Sequence, residues 1–206
     1  MTPKDGEQTK QKILQKAEEL FFENGYHATS VESIAKAAGV NKALIYYYFD
    51  AKNDLMTALV KNMMEDLAKH VAGLPKGERV SDTRAARKEK IQAEVKYLQQ
   101  HRRVLAIMTM EAFKGKGQGN FLFQCAEMVM SHEHKGQLWG NESAERPGTD
   151  KYNLHLVHEF YTGLMPMISF VVMQDHWCEY FHCDADQALE LFMEAFARSH
   201  LQSHVM

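Results

Sequence analysis

The most reactive side chains lie near the C-terminal end of the chain, where histidines and cysteines occur close together. One cluster contains two residues of each type, His176, Cys178, His182 and Cys183. Imidazole and thiolate groups are ligands that zinc and other soft metals prefer. The sequence has neither a C-x-x-C nor an H-E-x-x-H spacing, so we interpret these residues as polar and core positions of a helix. We expect no metal site, although metal binding by this cluster stays open.

The same cluster contains the residue types of a cysteine hydrolase, with Cys178 as nucleophile, His182 as base and Glu179 beside them. One helix rarely supplies an aligned nucleophile and base, which argues against this interpretation. The sequence also lacks a phosphate-binding loop, a dinucleotide fingerprint and a G-x-S-x-G elbow. We therefore expect neither enzyme activity nor a cofactor.

A second group of chemically useful residues lies in the segment NKALIYYYF. On an α-helix, where each residue turns by about 100°, Ile45 and Phe49 share one face, while Ala43 and Tyr47 point away from it. A small residue allows close approach to a DNA groove, and Lys42 and tyrosine hydroxyls suit phosphates and base edges. The segment therefore predicts a surface that enters the major groove.

Four helices position this surface. Thr29 and Glu32 have the spacing of a capping box, which predicts the start of the second helix. Lys52 falls in the first turn of the fourth helix, where we expect it to hold a phosphate. Apolar spacing and glycine stops predict helices over residues 7–24, 30–38, 41–48 and 51–73. Short helices joined by a glycine turn and braced by a longer helix make a helix-turn-helix pattern.

The remaining sequence also has helical periodicity. The pattern predicts helices near residues 82–100, 102–114, 120–132, 151–181 and 184–203, and a loop from Ser131 to Asp150. The expected fold is all-α, with an N-terminal helix-turn-helix domain of three helices and a larger C-terminal helical domain for ligand binding and dimerisation. We place the DNA-binding domain at residues 1–55 and the second domain at residues 56–206.

Composition and charge narrow the class of protein. The chain has 206 residues, of which 45% are hydrophobic, and its net charge is −3. No apolar stretch near the start reads as a signal peptide, no charge-free stretch reaches the length of a membrane span, and three cysteines form no disulfide framework. We therefore expect a cytoplasmic protein with no membrane contact. Residues 76–103 carry a net +5 and residues 150–206 a net −6, so a polyanion would avoid the C-terminal part.

The segment TSVESIAKAAGVNKALIYYYFDAKNDL resembles the DNA-binding segment of the tetracycline-repressor (TetR) family of transcriptional regulators. The preceding ILQKAEELFFENGYHATS is similar to the family's first helix. The resemblance covers some 50 residues and departs from the family pattern at Asn41 and at Asp50-Ala51. It implies a homodimeric repressor that binds a palindromic DNA operator and is released by a small-molecule effector.

The resemblance also assigns roles to individual positions. It places phosphate contacts on Thr29 or Ser30, Tyr47, Tyr48 and Lys52. It places base-facing contacts on Lys42, Ala43, Leu44 and Tyr46. Beyond this segment the resemblance is only architectural, so it assigns no ligand residue.

The C-terminal part has an excess of methionine and aromatic residues that suits an adaptable apolar pocket. The candidate ligand-binding residues are Met108, Glu111, Phe113, Met128, Phe160 and Met165. Two apolar stripes on the last two helices predict the dimer interface, with packing inside one subunit as the alternative. The stripes are Val157, Tyr161, Leu164, Ile168 and Val171, and Leu189, Phe192, Met193 and Phe196. The alternative function is a helical ligand- or metal-binding protein that no longer reads DNA.

Overall fold

The computed structural model describes residues 3–73, 84–115, 120–136 and 150–200. These residues form ten α-helices and one π-helical segment, and no strand occurs among them, which confirms the all-α class. The first six helices are α1 (Pro3–Asn24), α2 (Val31–Ala38), α3 (Lys42–Tyr48), α4 (Lys52–Gly73), α5 (Arg84–Gln100) and α6 (Arg102–Lys114). They are followed by α7 (Asn120–Gly136), α8 (Asp150–His158), the π-helical segment (Glu159–Leu164), α9 (Met165–Phe181) and α10 (Ala185–Ser199).

The chain divides into two compact units. The first unit contains Met1–His70 and Ala106–Leu122, and the second contains Val71–Leu105 and Phe123–Met206. Each boundary falls inside a helix, because α4, α6 and α7 continue from one unit into the other. Compactness and function are different criteria, so the functional boundary that we place after residue 55 stays a prediction.

The first unit is built on the apolar face of α1. Ile13, Ala17 and Phe21 recur at helical spacing and are fully buried, and α1 packs against α2. The helix ends at Asn24, and Gly25 follows with a φ of +83°. Only glycine adopts this left-handed conformation at little cost, so the predicted stop is confirmed.

The start of α2 differs from the predicted capping box of Thr29 and Glu32, which was wrong. Ser30 is the N-cap, with an extended backbone, and its hydroxyl accepts from the Ser33 amide at 3.1 Å. The Ser33 hydroxyl in turn accepts from the Ser30 amide at 3.2 Å. Thr29 cannot take this role, because its side chain is buried and its hydroxyl bonds to carbonyls of the preceding turn. The helix therefore begins one residue later than the box implied.

The turn between α2 and α3 agrees with the sequence prediction. Gly39 takes the left-handed conformation, with a φ of +66°. Asn41 caps α3 and accepts a hydrogen bond from the Leu44 amide at 2.8 Å. These two local signals fix both ends of the turn, so the helix-turn-helix arrangement is confirmed.

One C-terminal boundary differs from the prediction. Helix α7 continues to Gly136, so the loop predicted to start at Ser131 was wrong for residues 131–136. The reason is local, because this segment contains neither proline nor glycine before Gly136. The rest of the predicted loop, residues 137–149, lies outside the described residues, as does the predicted end of the last helix near residue 203.

The predicted long helix over residues 151–181 is divided by the π-helical segment. Its end is marked by a hydrogen bond from the Met165 amide to the Phe160 carbonyl. Pro166 follows, and it has neither an amide hydrogen for the Thr162 carbonyl nor room for its ring against that carbonyl in a regular α-helix. The wider π-helical turn accommodates the proline without ending the helical path.

The π-helical segment changes which residues share a face. Val157 and Tyr161, before or within it, are exposed, whereas Ile168 and Val171, after it, are buried. On an uninterrupted α-helix all four would lie on one stripe. The single interface stripe predicted for this helix was therefore wrong.

Two ion pairs join the basic sequence region 76–103 to the acidic region 150–206. In the second unit, Lys88 on α5 pairs with Glu190 on α10 at 3.1 Å. Arg102, at the start of α6, pairs with Asp175 on α9. The basic region therefore neutralises part of the acidic one within the second unit, which makes its positive charge a poor indicator of a DNA surface.

One helical run in the described part of the chain is long and apolar enough to cross a membrane, judged only by length and composition. It spans the 30 residues Tyr152–Phe181. A single run of this kind is a weak indication, because core helices of soluble proteins meet the same criterion.

Candidate nucleic-acid interface

Helix α3 presents opposite faces to the protein and to solvent. Ile45 and the following cap residue Phe49 are buried and fasten the helix to the first unit. Tyr47 is 78% exposed and Tyr46 is 45% exposed, and Ala43 lies on the same exposed side. The distribution predicted from the helical angles is therefore confirmed, including the inward direction of Ile45.

Lys42, at the first position of α3, is exposed but paired. Its ammonium bonds to the carboxylate of Glu32 on α2, and it also lies 5.7 Å from the centre of the Tyr46 ring. The hydrogen bond from Lys42 lowers the pKa of Glu32, and the same bond raises the pKa of Lys42. Both groups are solvated, so a phosphate can displace the carboxylate. Sequence reasoning missed Glu32 in this role because the two residues are ten positions apart.

Lys52 has a different position from the one expected of a phosphate ligand. Its ammonium donates to the Tyr26 carbonyl at 2.8 Å and to the Thr29 carbonyl at 2.9 Å. It lies 4.6 Å from the centre of the Tyr26 ring. These contacts fasten the start of α4 to the turn between α1 and α2. The side chain is therefore a structural tie of the first unit, and its phosphate contact stays an untested prediction that these bonds disfavour.

The remaining phosphate candidates differ in how accessible they are. The Thr29 hydroxyl donates to the carbonyls of Leu20, at 3.0 Å, and Gly25, at 2.9 Å. Because Thr29 is buried and bonded, its side chain is unavailable to a phosphate, whereas Ser30 is exposed. Tyr48 is half-buried, and its hydroxyl lies against Gly6 of α1, where an added Cβ would be 3.3 Å from it.

We call Lys42, Ala43, Tyr46 and Tyr47 the groove face. The four residues lie on one short helix whose buried side is held by the first unit. The face offers an ammonium and two phenol hydroxyls around a small residue, which suits hydrogen bonding to phosphates and base edges. Leu44, the one base-facing candidate outside this face, is half-buried.

Residues 13–59 match the family of bacterial regulatory proteins named for tetR. The match contains the whole helix-turn-helix, from the buried face of α1 to the first half of α4. Residues 13–59 are therefore a DNA-binding domain of the TetR family. The resemblance to that family, stated above from the sequence, is confirmed.

The relatives that this domain matches are named as transcriptional regulators. The probable regulator YttP of Bacillus subtilis (strain 168) is 48% identical over 61 residues, which is 30% of each chain. IcaR of Staphylococcus aureus (strain Newman), the negative transcriptional regulator of the biofilm operon icaADBC, is 42% identical over 52 residues, or 25% of this chain and 28% of IcaR. The chain thus aligns with about a third of the length of these relatives.

The fold similarity is broader than the sequence similarity. A transcriptional regulator from Aquifex aeolicus VF5 superimposes with a TM-score of 0.64, covering 91% of this chain and 96% of its own. The sequence identity is 21%, so this likeness establishes the fold alone.

The six candidate ligand residues are divided equally between the units. Met108 and Glu111 are buried in the first unit, where Phe113 is exposed. The other three are half-buried in the second unit, namely Met128, Phe160 and Met165. A ligand site made of these residues stays a prediction.

Cys125 and Cys178 lack the properties of a nucleophile at neutral pH. Burial raises the pKa of Cys125 to about 12, and burial together with a hydrogen bond to Cys183 raises the pKa of Cys178 to about 11. Thiols of this kind stay protonated, whereas nucleophilic catalysis requires the thiolate. Among the described residues, which include the cluster at 176–183, no group of three or more His, Cys, Asp or Glu side chains could hold a metal ion.

Proposed function

We propose that this TetR-family chain is a cytoplasmic transcriptional repressor that binds a palindromic DNA operator as a homodimer and leaves it when a small molecule binds. The observation that carries the proposal is the groove face. Its two tyrosines and one lysine project from a helix whose opposite side is buried. Two exposed phenol hydroxyls beside an exposed ammonium suit contact with a polyanion.

Repression is proposed as the direction of regulation. IcaR, which shares 42% identity with the DNA-binding segment, is a negative regulator of its operon. A protein that occupies a promoter lowers transcription when it excludes RNA polymerase. The regulated gene of this chain is not specified by the groove face.

Dimerisation is proposed because a seven-residue recognition helix reads too few base pairs for specificity. Four of the nine predicted interface residues are used inside the second unit, where Ile168, Val171, Met193 and Phe196 are buried. The interface that we propose therefore draws on exposed apolar residues, which we call the apolar face. They are Leu154 and Val157 on α8, Tyr161 in the π-helical segment, and Trp177, Tyr180 and Phe181 at the end of α9.

A DNA-binding assay on the full chain tests the proposal. The probe is the DNA upstream of the chain's own gene, because repressors often regulate themselves, with a shuffled duplex of equal length as competitor. We expect retention of the upstream fragment by the ligand-free protein. We expect Lys42→Ala to weaken binding and to lower the slope of log affinity against log salt by about one unit.

Lys61→Ala is the matched control, because Lys61 is also an exposed lysine of the first unit paired with a glutamate, Glu65, at 3.8 Å. It should leave the affinity and the salt slope unchanged. A folded protein that binds neither duplex would contradict the proposal and would favour the alternative, a helical ligand- or metal-binding protein that no longer reads DNA.

A further inference from the structure

The first unit contains one deeply buried carboxylate outside the groove face. Glu111, on α6, is 1% exposed. Its carboxylate lies 2.6 Å from the Lys114 ammonium and 3.0 Å from His27 Nε2. Burying a carboxylate is unfavourable unless cations or hydrogen-bond donors surround it. The fold therefore holds this carboxylate between Lys114 and His27.

The two partners of Glu111 belong to different parts of the unit. Lys114 lies on α6 itself, one turn after Glu111, and moves with it. His27 lies in the turn between α1 and α2 and is 65% exposed. The distance from Glu111 to His27 therefore reports where α6 lies relative to the turn, whereas the distance to Lys114 does not.

The turn that carries His27 also holds the start of α4. Tyr26 is buried, and its ring contacts the His27 ring edge to face, with centres 5.2 Å apart. The Lys52 ammonium lies 4.6 Å from the Tyr26 ring centre and donates to the Tyr26 and Thr29 carbonyls. Asp54, the nearby acid on α4, accepts from the Ala51 amide at 2.9 Å. The turn thus lies between Glu111 on one side and Lys52 on the other.

We infer that Glu111 is a positioning residue for DNA reading, which acts by holding the turn 25–29 through His27 and thereby fixing the start of α4 next to the recognition helix. The inference rests on the proposed function and deepens it. Only three residues, 49–51, separate α3 from α4. A turn that loosens therefore changes the direction in which the groove face points.

The second partner makes this contact reversible. If α6 moves away from the turn, Lys114 still neutralises Glu111, so the movement leaves no unpaired buried charge. The unit then has two arrangements, one with Glu111 in contact with both His27 and Lys114 and one with Glu111 in contact with Lys114 alone. Any molecule that binds better to the second arrangement lowers DNA affinity by that difference.

Hydrogen exchange of the full-length chain tests the inference without DNA. The probe is the Thr29 amide, which bonds to the Gly25 carbonyl at 3.3 Å. We expect Glu111→Gln to increase its exchange rate about tenfold while amides in the middle of α1 keep theirs. His27→Gln, at an exposed position that folding tolerates, should give the same local effect, and the double variant should add little to either single one.

Rescue and control variants complete the test. His27→Lys places an ammonium beside Glu111, so the Thr29 amide should exchange as slowly as in the parent protein. Glu65→Gln, at an exposed ion pair of α4, should leave the Thr29 exchange rate unchanged. In the DNA assay, Glu111→Gln should lower affinity about fivefold or more with an unchanged salt slope, since Glu111 touches no phosphate. Unchanged Thr29 exchange in both single variants, or full additivity in the double variant, would overturn the inference. Absence of DNA binding by the parent protein would instead overturn the proposed function and leave the exchange result valid.

Discussion

Two tyrosines of this protein are equally exposed yet lie in opposite surroundings. Tyr47 in the first unit and Tyr180 in the second are both 78% exposed. Tyr47 belongs to the groove face, next to an exposed lysine and an alanine. Tyr180 lies beside Trp177 and Phe181, and the exposed acids Glu179 and Asp184 flank it in sequence. Exposure alone therefore does not identify a binding surface, and the charge around the ring decides what it can contact.

The difference has a simple electrostatic basis. A phosphate backbone is attracted to the ammonium of the groove face and repelled by the carboxylates near Tyr180. Burial of apolar surface is indifferent to that charge and favours the second region, where three large aromatic residues are exposed within one helical turn and a half. We therefore assign DNA to one region and a second copy of the chain to the other.

The largest expected effect comes from placing charge in the apolar face. Because a two-fold interface contains each residue twice, Val157→Glu introduces two buried carboxylates and should weaken dimerisation by several kcal/mol, or about a hundredfold or more. Sedimentation at micromolar concentration should then give the mass of one chain, with the loss of specific DNA binding as a consequence. Tyr47→Ala is the control that should sediment like the parent. A parent protein that is already monomeric would contradict the assignment of this face.

Replacing each of the two equally exposed tyrosines by alanine tests the difference between the groove face and the apolar face directly. We expect Tyr47→Ala to lose about 1–3 kcal/mol of DNA binding, or about tenfold to hundredfold in affinity, with no change in mass. Tyr180→Ala should weaken self-association and leave the intrinsic DNA contacts intact. Gel shift and sedimentation on both variants check this pair of outcomes. Equal DNA affinity for both folded variants would remove the distinction between the surfaces.

Lys52 offers a test of whether a lysine near the groove face contacts DNA or holds the fold. Lys52→Met keeps the alkyl chain and removes the bonds to the Tyr26 and Thr29 carbonyls. We expect the free energy of unfolding to fall by about 1–3 kcal/mol in urea titrations. The salt slope of DNA binding should stay unchanged, in contrast to Lys42→Ala. A lowered salt slope of DNA binding, with an unchanged free energy of unfolding, would show instead that Lys52 contacts a phosphate.

The smallest expected effect concerns alkaline pH. Burial, together with the negative charges of Glu111 and Asp54, raises the pKa of Tyr26 above its ordinary value of 10.0. The folded state therefore retains the phenol proton where the unfolded chain loses it, so stability is full below about pH 10 and falls as pH rises further. Tyr26→Phe should reduce this loss, measured as the melting temperature from pH 9 to 11. Tyr47→Phe, at the exposed position, should melt with the parent's pH dependence.

Local signals account for what the sequence predicted correctly. Gly39 and Asn41 each act through their own backbone or the next turn, and Ile45 was assigned to the core from the angle between successive residues alone. Thr29 was assigned wrongly because its hydroxyl had two local possibilities, and only packing against α1 decides between them. Lys52 was interpreted as a phosphate ligand because its carbonyl partners lie more than twenty positions earlier.

The candidate ligand residues and the interface stripe show the limit of periodicity. Phe113 lies five residues after Met108 and about 140° away around α6, and it is exposed whereas Met108 is buried. It was a candidate because of its residue type, which gives no direction. The stripe from Val157 to Val171 assumed a constant number of residues per turn, and the sequence offers only Pro166 as a warning that the number changes.

The π-helical segment makes the second unit sensitive to length as well as to composition. A π-helical turn is equivalent to one residue inserted into an α-helix, and one residue corresponds to about 100° of rotation. Deleting a single residue from Glu159–Leu164 would therefore remove the wide turn and leave continuous α-helix, while the residues after it keep their directions. Ile168 and Val171 would stay buried. Closing the turn to α-helix without a deletion would instead rotate everything after it by about 100°. The one extra residue of this segment thus decides which face of α9 is available to a partner.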